Sequence, residues 1–175
     1  MLRPIVFCVI GLLITATASA VEFQLAEEAD GVAVQLDGKL FTRYLTKSGA
    51  KPILWPVVGP QGEHMTRGYP MREPLPTEKK DHVHHRSLWF THGDVNGTSF
   101  WHESNPHGTI VHREFLKLSG GEQAVICARN DWLDPIGTRV CEDTRTFTFH
   151  VDGGPRRMDV DGGVGAGGGR GVVGG

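Results

Sequence analysis

Histidine is concentrated in one short stretch of this 175-residue chain, where seven of the nine histidines lie between residues 81 and 112. The densest run, residues 81–86, reads DHVHHR and leads directly into the aromatic sequence LWF at 88–90. Imidazole titrates near neutral pH, so it can act as a general acid, a general base or a polar clamp on a substrate. It is also a common metal ligand. The run therefore indicates a ligand site, whereas single histidines on loops are usually just solvated.

An extended conformation of residues 81–86 would place His82 and His84 on one face and Asp81 and His85 on the other. Two imidazoles spaced in this way can share a divalent transition-metal ion, with a third ligand from elsewhere in the fold. The same side chains could instead perform acid–base chemistry without a metal. The spacing leaves both alternatives open.

Aromatic side chains follow the histidines at Trp89 and Phe90 and again at Phe100 and Trp101. They could form the core of a hairpin around an Asn-Gly turn at 96–97, or an aromatic face that holds a sugar ring beside polar groups. The candidate catalytic residues are His82, His84, His85, Asp81 and Glu103. The candidate substrate-binding residues are Arg67, Arg86, Trp89, His92, Asp94 and Trp101, and the candidate metal ligands are His82 and His84.

The elements that must position these residues have the pattern of β-strands. Apolar and polar residues alternate, and Asp-Gly and Asn-Gly turns interrupt the alternation, which is typical of half-buried antiparallel strands. Pro56 limits the run at 53–58 to an edge strand or a bulge. The predicted strands are 21–25, 32–36, 40–45, 53–58, 87–92, 109–118, 123–129 and 138–151, with a long irregular loop at 59–86 and a turn at 130–135. Because no stretch has a helical period, we expect an all-β protein, an antiparallel β-sandwich.

The first twenty residues have the pattern of a cleavable secretory signal. Arg3 precedes an apolar run at 5–14, and Ala18-Ser19-Ala20 fits the preference of signal peptidase. We expect a mature protein that begins at Val21, is secreted or periplasmic, and has no membrane contact after cleavage. The net charge of −2 and the absence of a basic run exclude a nucleic-acid partner and favour a small-molecule or glycan ligand.

Nine of the last fifteen residues, 161–175, are glycine. Such a segment buries little surface, so we expect a disordered tail that follows a β-sandwich domain at 21–160. All of these residues except Arg170 have codons that begin with G. One hypothesis is therefore a frameshift near residue 160 in a GC-rich gene, and the alternative is a genuine glycine-rich tail.

Cys127 and Cys141 lie in two strands that a turn near Asp134 would join as a hairpin. A hairpin centred at Asp134 places the two cysteines opposite each other, close enough for a somewhat strained disulfide in an oxidising compartment. Two separate buried thiols are the alternative.

Several segments together resemble the PmoA-like family of bacterial proteins, which is often labelled "methane oxygenase PmoA". They are KPILWPV at 51–57, residues 66–71, the histidine block with its aromatic continuation through 101, RNDW at 129–132 and EDTRTF at 142–147. Ser87 stands where the resemblance implies glycine. The resemblance implies a β-sandwich similar to the galactose mutarotase-like supersandwich, whose members act on sugars with histidine and carboxylate groups. This chain would then be the N-terminal part of a longer family domain.

Three functions are consistent with these residues. The first is a carbohydrate-binding or carbohydrate-active protein with a histidine-rich site. The second is a metal-dependent enzyme of the oxygenase type that the family label suggests. The third is a binding module without catalysis.

Overall fold

The computed structural model describes residues 21–166. Eight strands form in this part of the chain: β1 (Phe23–Glu28), β2 (Gly31–Leu36), β3 (Lys39–Ser48), β4 (Lys51–Val57), β5 (Thr109–Ser119), β6 (Ala124–Leu133), β7 (Arg139–Val151) and β8 (Arg156–Ala166). Between residues 21 and 166 there is no helix, and hence none long and apolar enough to cross a membrane. The predicted signal at 1–20 lies outside the described residues.

The first sheet is an antiparallel meander in the order β1-β2-β3-β4. Asp37 and Gly38, with φ of 49° and 73°, form the two-residue turn between β2 and β3. Turns of this kind need positive φ at both positions, which explains the Asp-Gly pair. β4 is an edge strand, and its register against β3 shifts next to Pro56. Both the edge position and the irregularity agree with the prediction for this proline.

The second sheet has the order β5-β6-β7-β8 and is also antiparallel. β8 corrects the prediction of a disordered tail, because residues 161–166 continue the ladder with β7 from Thr146↔Asp161 to Cys141↔Ala166. Ladder hydrogen bonds come from the backbone, so glycine can make them although it weakens a strand. The domain boundary expected at 160 is therefore wrong for 161–166, and residues 167–175 lie outside the described part.

The hairpin between β6 and β7 turns later than the sequence indicated. β6 runs on to Leu133, so the turn predicted at 130–135 is wrong. The observed turn is closed by Asp134, whose Oδ1 accepts hydrogen bonds from the amides of Ile136 and Thr138. β6 continues because Asn130 and Trp132 are fully buried.

The later turn changes the register of the two cysteines. Cys127 pairs with Thr146, five positions beyond Cys141, and Cys141 pairs with Trp132. Five strand residues span about 16 Å, far beyond the reach of a disulfide. Both thiols are unbridged, and the predicted opposition of the cysteines is wrong.

The two sheets pack against each other and confirm the all-β sandwich. Apolar side chains of both sheets meet in one core, where Phe41 contacts Phe149 edge-on at 5.4 Å and Tyr44 lies 5.9 Å from Phe147. Each fully buried large side chain of this kind contributes about 1.5–3 kcal/mol through removal of apolar surface from water. The finer likeness to the galactose mutarotase-like supersandwich stays a prediction.

The segment 58–108 crosses from the first sheet to the second without forming a strand. The strand predicted at 87–92 is wrong, because only Leu88 pairs, through one isolated bridge to Leu54 of β4. The Asn96-Gly97 turn is present, with Val95 and Thr98 hydrogen-bonded to each other, although no strands flank it. This crossover carries all of the candidate site residues named from the sequence.

Candidate functional site

The histidine run folds into a turn, and the turn gathers its three rings. His82 has a φ of 44°, and its carbonyl accepts from the amide of His85 at 2.8 Å. The rings of His82 and His85 stack at 5.0 Å, and the ring of His84 meets that of His85 edge-on at 4.5 Å. The expectation of an extended segment with alternating faces is therefore wrong. The three imidazoles nevertheless form one cluster.

A fourth imidazole, that of His102, lies 4.8 Å from the ring of His84. We did not select His102 from the sequence, although it stands between two residues that we did select, Trp101 and Glu103. The sequence does not reveal this contact, because His84 and His102 are eighteen residues apart along an irregular crossover. The histidine cluster hereafter means His82, His84, His85 and His102.

Arg86 and Glu103 hold the two parts of the cluster together. Arg86 donates to both carboxylate oxygens, through Nε to Oε1 and Nη2 to Oε2 at 2.8 Å each, and the side chains are only 15% and 9% exposed. Desolvation raises the pKa of Glu103, but the hydrogen bond and charge of Arg86 and the Ala50 amide outweigh it, so the net pKa is lowered. Glu103 is thus a carboxylate bound by arginine, and both residues position the loop.

Lys51 lies beneath the site and is 1% exposed. Its Nζ donates to the carbonyl of Trp101 at 3.0 Å and stands 4.3 Å from the centre of the Trp89 ring. Burial lowers the pKa of this ammonium to about 8, with Glu103 opposing the shift and Arg86 adding to it. Lys51 was not among the predicted site residues. The only sequence signal is its place at the start of a strand, in the KPILWPV segment.

Trp89 and Trp101 form an aromatic pair at the surface. Their rings are 4.6 Å apart at 66°, and Trp101 is 39% exposed. They border a cleft of about 430 Å³, called the tryptophan cleft. Its lining residues are Thr66, Arg67, His85, Ser87, Trp89 and Trp101.

A second concavity of about 370 Å³, called the histidine recess, lies on the other side of the cluster. His84 lines this recess and His85 lines the tryptophan cleft, so the contact between their rings makes the two concavities neighbours. The lining residues of the recess are Lys80, Asp81, His82, Val83, His84, His102, Glu103 and Ser104.

Asp81 is held between Arg67 and His82. Arg67 donates two hydrogen bonds to this residue, through Nη1 to the Asp81 carboxylate at 3.4 Å and through Nη2 to the Asp81 carbonyl at 3.0 Å. On the other side, His82 Nδ1 lies 3.3 Å from the Asp81 carboxylate. Desolvation raises the pKa of Asp81, but His82 and Arg67 together lower it overall. The arginine thereby ties the rim of the tryptophan cleft to the recess.

Burial is the main cause that lowers the pKa of both His84 and His85, and repulsion from neighbouring cations lowers it further. For His84 these neighbours include His85, His102 and Lys51, and for His85 they include His82 and Arg67. Both imidazoles are consequently biased toward the neutral form near pH 7, in which they can accept a proton.

His92 and Asp94 are not brought to the site. His92 Nδ1 lies 2.9 Å from the carbonyl oxygen of Asp94, and the Asp94 carboxylate accepts from the Gly97 amide at 2.8 Å. These contacts stabilise the Asn-Gly turn, and neither residue lines the tryptophan cleft or the histidine recess.

The ligand geometry does not fit a metal centre within the described residues. From 21 to 166, no group of three or more His, Cys, Asp or Glu side chains is arranged to hold an ion. The predicted ligand pair, His82 and His84, has ring centres 5.8 Å apart at 67°.

Ser87 adopts a φ of 61°, in the left-handed region that favours glycine. This conformation gives a physical reason for the glycine that the family resemblance implies at this position. Here the serine hydroxyl compensates in part, since it donates to the Leu54 carbonyl and is hydrogen-bonded to Thr66, at 2.7 Å in both cases.

A buried polar network anchors the crossover to the second sheet. Asp143 accepts hydrogen bonds from Asn130 at 2.9 Å, from Arg145 Nε at 2.7 Å and from the Trp132 indole, and all four residues are at most 1% exposed. The Arg145 guanidinium lies 5.1 Å from the ring of Phe90, the residue that follows the first tryptophan of the cleft. The network thus fixes the loop that carries the site.

The fold and the site define an all-β protein with a surface cleft lined by tryptophan and histidine. Residues 31–166 match the model of a family of unknown function, DUF6807. The match covers most of the chain, and the protein belongs to this family. Neither the curated proteins nor the solved structures yield a match to it.

Proposed function

We propose that the protein binds carbohydrate in the tryptophan cleft. The observation that carries this proposal is the pair of tryptophans, set at 66°, opening onto a cleft that Arg67 and His85 also line. A sugar ring has C–H faces that pack on aromatic rings and hydroxyls that need polar partners, and the cleft supplies both. Its volume of about 430 Å³ is within the range of about 300–1,000 Å³ for small-ligand sites.

The adjacent imidazoles extend the proposal to a carbohydrate-active protein. His85 lines the cleft, and the ring of His84 contacts that of His85. The lowered pKa of both supports a role as proton acceptor, which His85 would play toward a sugar hydroxyl. Asp81 can orient His82 through their 3.3 Å contact. Arg86 and Glu103 then have a positioning role, because they bind each other.

The place of action belongs to the same proposal. The signal pattern at 1–20 supports secretion or a periplasmic location, where free glycans are available. The resemblance to the PmoA-like family supports sugar chemistry through its implied supersandwich fold. The ligand geometry does not favour the metal-dependent alternative.

A glycan-binding screen on the purified full chain, followed by calorimetry on any hit, tests the binding. Trp101→Ala should weaken binding at least tenfold, whereas Trp101→Phe, which keeps an aromatic face, should retain most of it. Leu116→Ala is the matched control, since it removes another half-exposed apolar side chain, on β5. Urea unfolding checks that each variant is folded. Equal affinity of Trp101→Ala and the unchanged protein would refute the proposal.

Product analysis on the bound glycan separates catalysis from simple binding. If His85 acts as a base, His85→Gln should abolish turnover while the affinity changes little. If the unchanged protein binds the glycan without converting it, the protein is a binding module. The binding proposal stands in either case.

A further inference from the structure

We propose that the histidine recess binds the anionic group of an acidic glycan, a carboxylate or a sulfate, and takes up protons when it does so. This inference rests on the proposed function and names its substrate class. The sugar ring would lie in the tryptophan cleft and its anionic group in the adjoining recess.

The number of imidazoles in contact is the first reason. The rings of the histidine cluster form a chain of neighbours 4.5–5.8 Å apart, with His84 touching the other three. Rings so close repel one another once protonated, and an anion placed among them removes that repulsion. His82 and His102 are exposed on the recess side, so solvent and ligand reach them.

The charge balance of the recess is the second reason. Its lining contains two carboxylates, and each already has an arginine partner: Glu103 binds Arg86, and Asp81, which also contacts His82, binds Arg67. Lys80 adds a cation at the rim, and its contact with Glu73 is made in solvent, where both side chains are mostly exposed. An exposed pair of this kind is weak.

Arg67 acts on His85, and the buried Lys51 adds a further positive charge that acts on His84. Its own carboxylate neighbour is Glu103, which is already bound to Arg86. Protonation of the cluster therefore adds positive charge to a site whose carboxylates are paired. That excess positive charge is what an anionic sugar would neutralise.

Proton uptake follows from linkage. Burial and neighbouring charges hold the pKa of His84 and His85 below the ordinary value, and a bound anion raises it again. Anion affinity must then increase as the pH falls through the titration of the cluster, by up to about tenfold per pH unit for each proton taken up.

The experiment is calorimetry on the full chain with tetragalacturonate, its neutral methyl ester and a sulfated galactan tetrasaccharide, at pH 5.5 and 7.5. We expect tetragalacturonate to bind at least tenfold more tightly at pH 5.5, and the methyl ester to bind equally at both. Titrations in two buffers with different ionisation enthalpies should show uptake of about one proton with the acid and none with the ester. Comparison of the uronate with the sulfated sugar identifies which anionic group the recess accepts.

A variant at the centre of the cluster completes the test. His84→Gln removes the ring that contacts the other three and one of the two imidazoles that take up the proton, so the pH dependence of tetragalacturonate binding should fall well below that of the unchanged protein. The control is His64→Gln, at an exposed histidine outside the recess. Equal binding of acid and ester at pH 5.5, or binding without proton uptake, overturns the inference and leaves the proposed function intact. If none of these sugars binds at either pH, the inference is overturned, and the glycan-binding screen decides the proposed function.

Discussion

Replacement of the buried Lys51 by methionine should reveal a large pH-dependent component in the stability of this protein. Methionine keeps the unbranched stem but removes the ammonium that contacts the Trp101 carbonyl and the Trp89 ring. In the unfolded chain this ammonium has its ordinary pKa of about 10.5, and in the native state burial lowers the pKa to about 8. The two states therefore bind different numbers of protons between these pH values.

The sign and the size follow from linkage. Between pH 8 and 10.5 the unfolded chain holds the proton and the native protein does not, so the free energy of unfolding rises with pH in this window. At about 1.4 kcal/mol per pH unit, the interval corresponds to about 3 kcal/mol. This gain in the free energy of unfolding is complete above the unfolded-state pKa of about 10.5, and it is lost as the pH falls to the native-state pKa of about 8.

The assay is urea unfolding, followed by tryptophan fluorescence, at several values between pH 7 and 10.5. The free energy of unfolding of the unchanged protein, minus that of Lys51→Met, should increase by about 3 kcal/mol across this range. The control is Lys47→Met at an exposed lysine of β3, for which the same difference should stay flat. A flat difference for Lys51→Met would refute the reasoning, because it would mean that the ammonium is hydrated in the native state.

Three further predictions concern other parts of the fold. Arg145→Met leaves the buried carboxylate of Asp143 without its cation and should lower the free energy of unfolding by about 3–5 kcal/mol in urea titrations. The loss should be smaller when Asp143→Asn is added, because no charge is then left unpaired. A loss below about 1 kcal/mol for Arg145→Met would contradict burial of the pair. Ser87→Gly should be more stable than Ser87→Ala by about 1 kcal/mol, because both variants lose the hydroxyl but only glycine adopts a φ of 61° without strain. Equal stabilities of the two variants would argue against that backbone conformation. Iodoacetamide at pH 8 should modify Cys127 faster than Cys141 in peptide mapping, since burial, aided by Asp143, raises the pKa of Cys141 to about 11. Detection of a peptide in which the two cysteines are disulfide-linked would contradict the observed register of β6 and β7.

The crossover 58–108 is long for a loop in a compact domain, and three anchors explain how it holds a site. Leu88 pairs with Leu54 of β4, Phe90 packs on Arg145 of β7, and Arg86 binds Glu103 within the crossover. Loops of this length are usually functional. The anchors lie directly beside the tryptophan cleft, so they restrict the part of the loop where a ligand would need rigid partners.

The sequence by itself determined the all-β class, most of the strands and the composition of the site. Period-two alternation and Asp-Gly turns are local features, and they located β1 to β4 and β5 to β7 within a few residues. Pro56 marked the edge strand for a local reason too, since proline lacks the amide that a central strand needs. The histidine run named three of the four clustered imidazoles because they are neighbours in the chain.

Only the tertiary structure decided how these residues meet. His102 and Lys51 join the site through contacts between segments far apart in sequence, which no local pattern encodes. The cysteine register depended on a turn whose position was fixed by burial of Asn130 against Tyr44 of β3 and of Trp132 against Phe100 of the crossover. The pairing of the glycine-rich strand β8 depended on the free edge of β7, because a backbone ladder forms where a partner edge exists, whatever the side chains of the added strand.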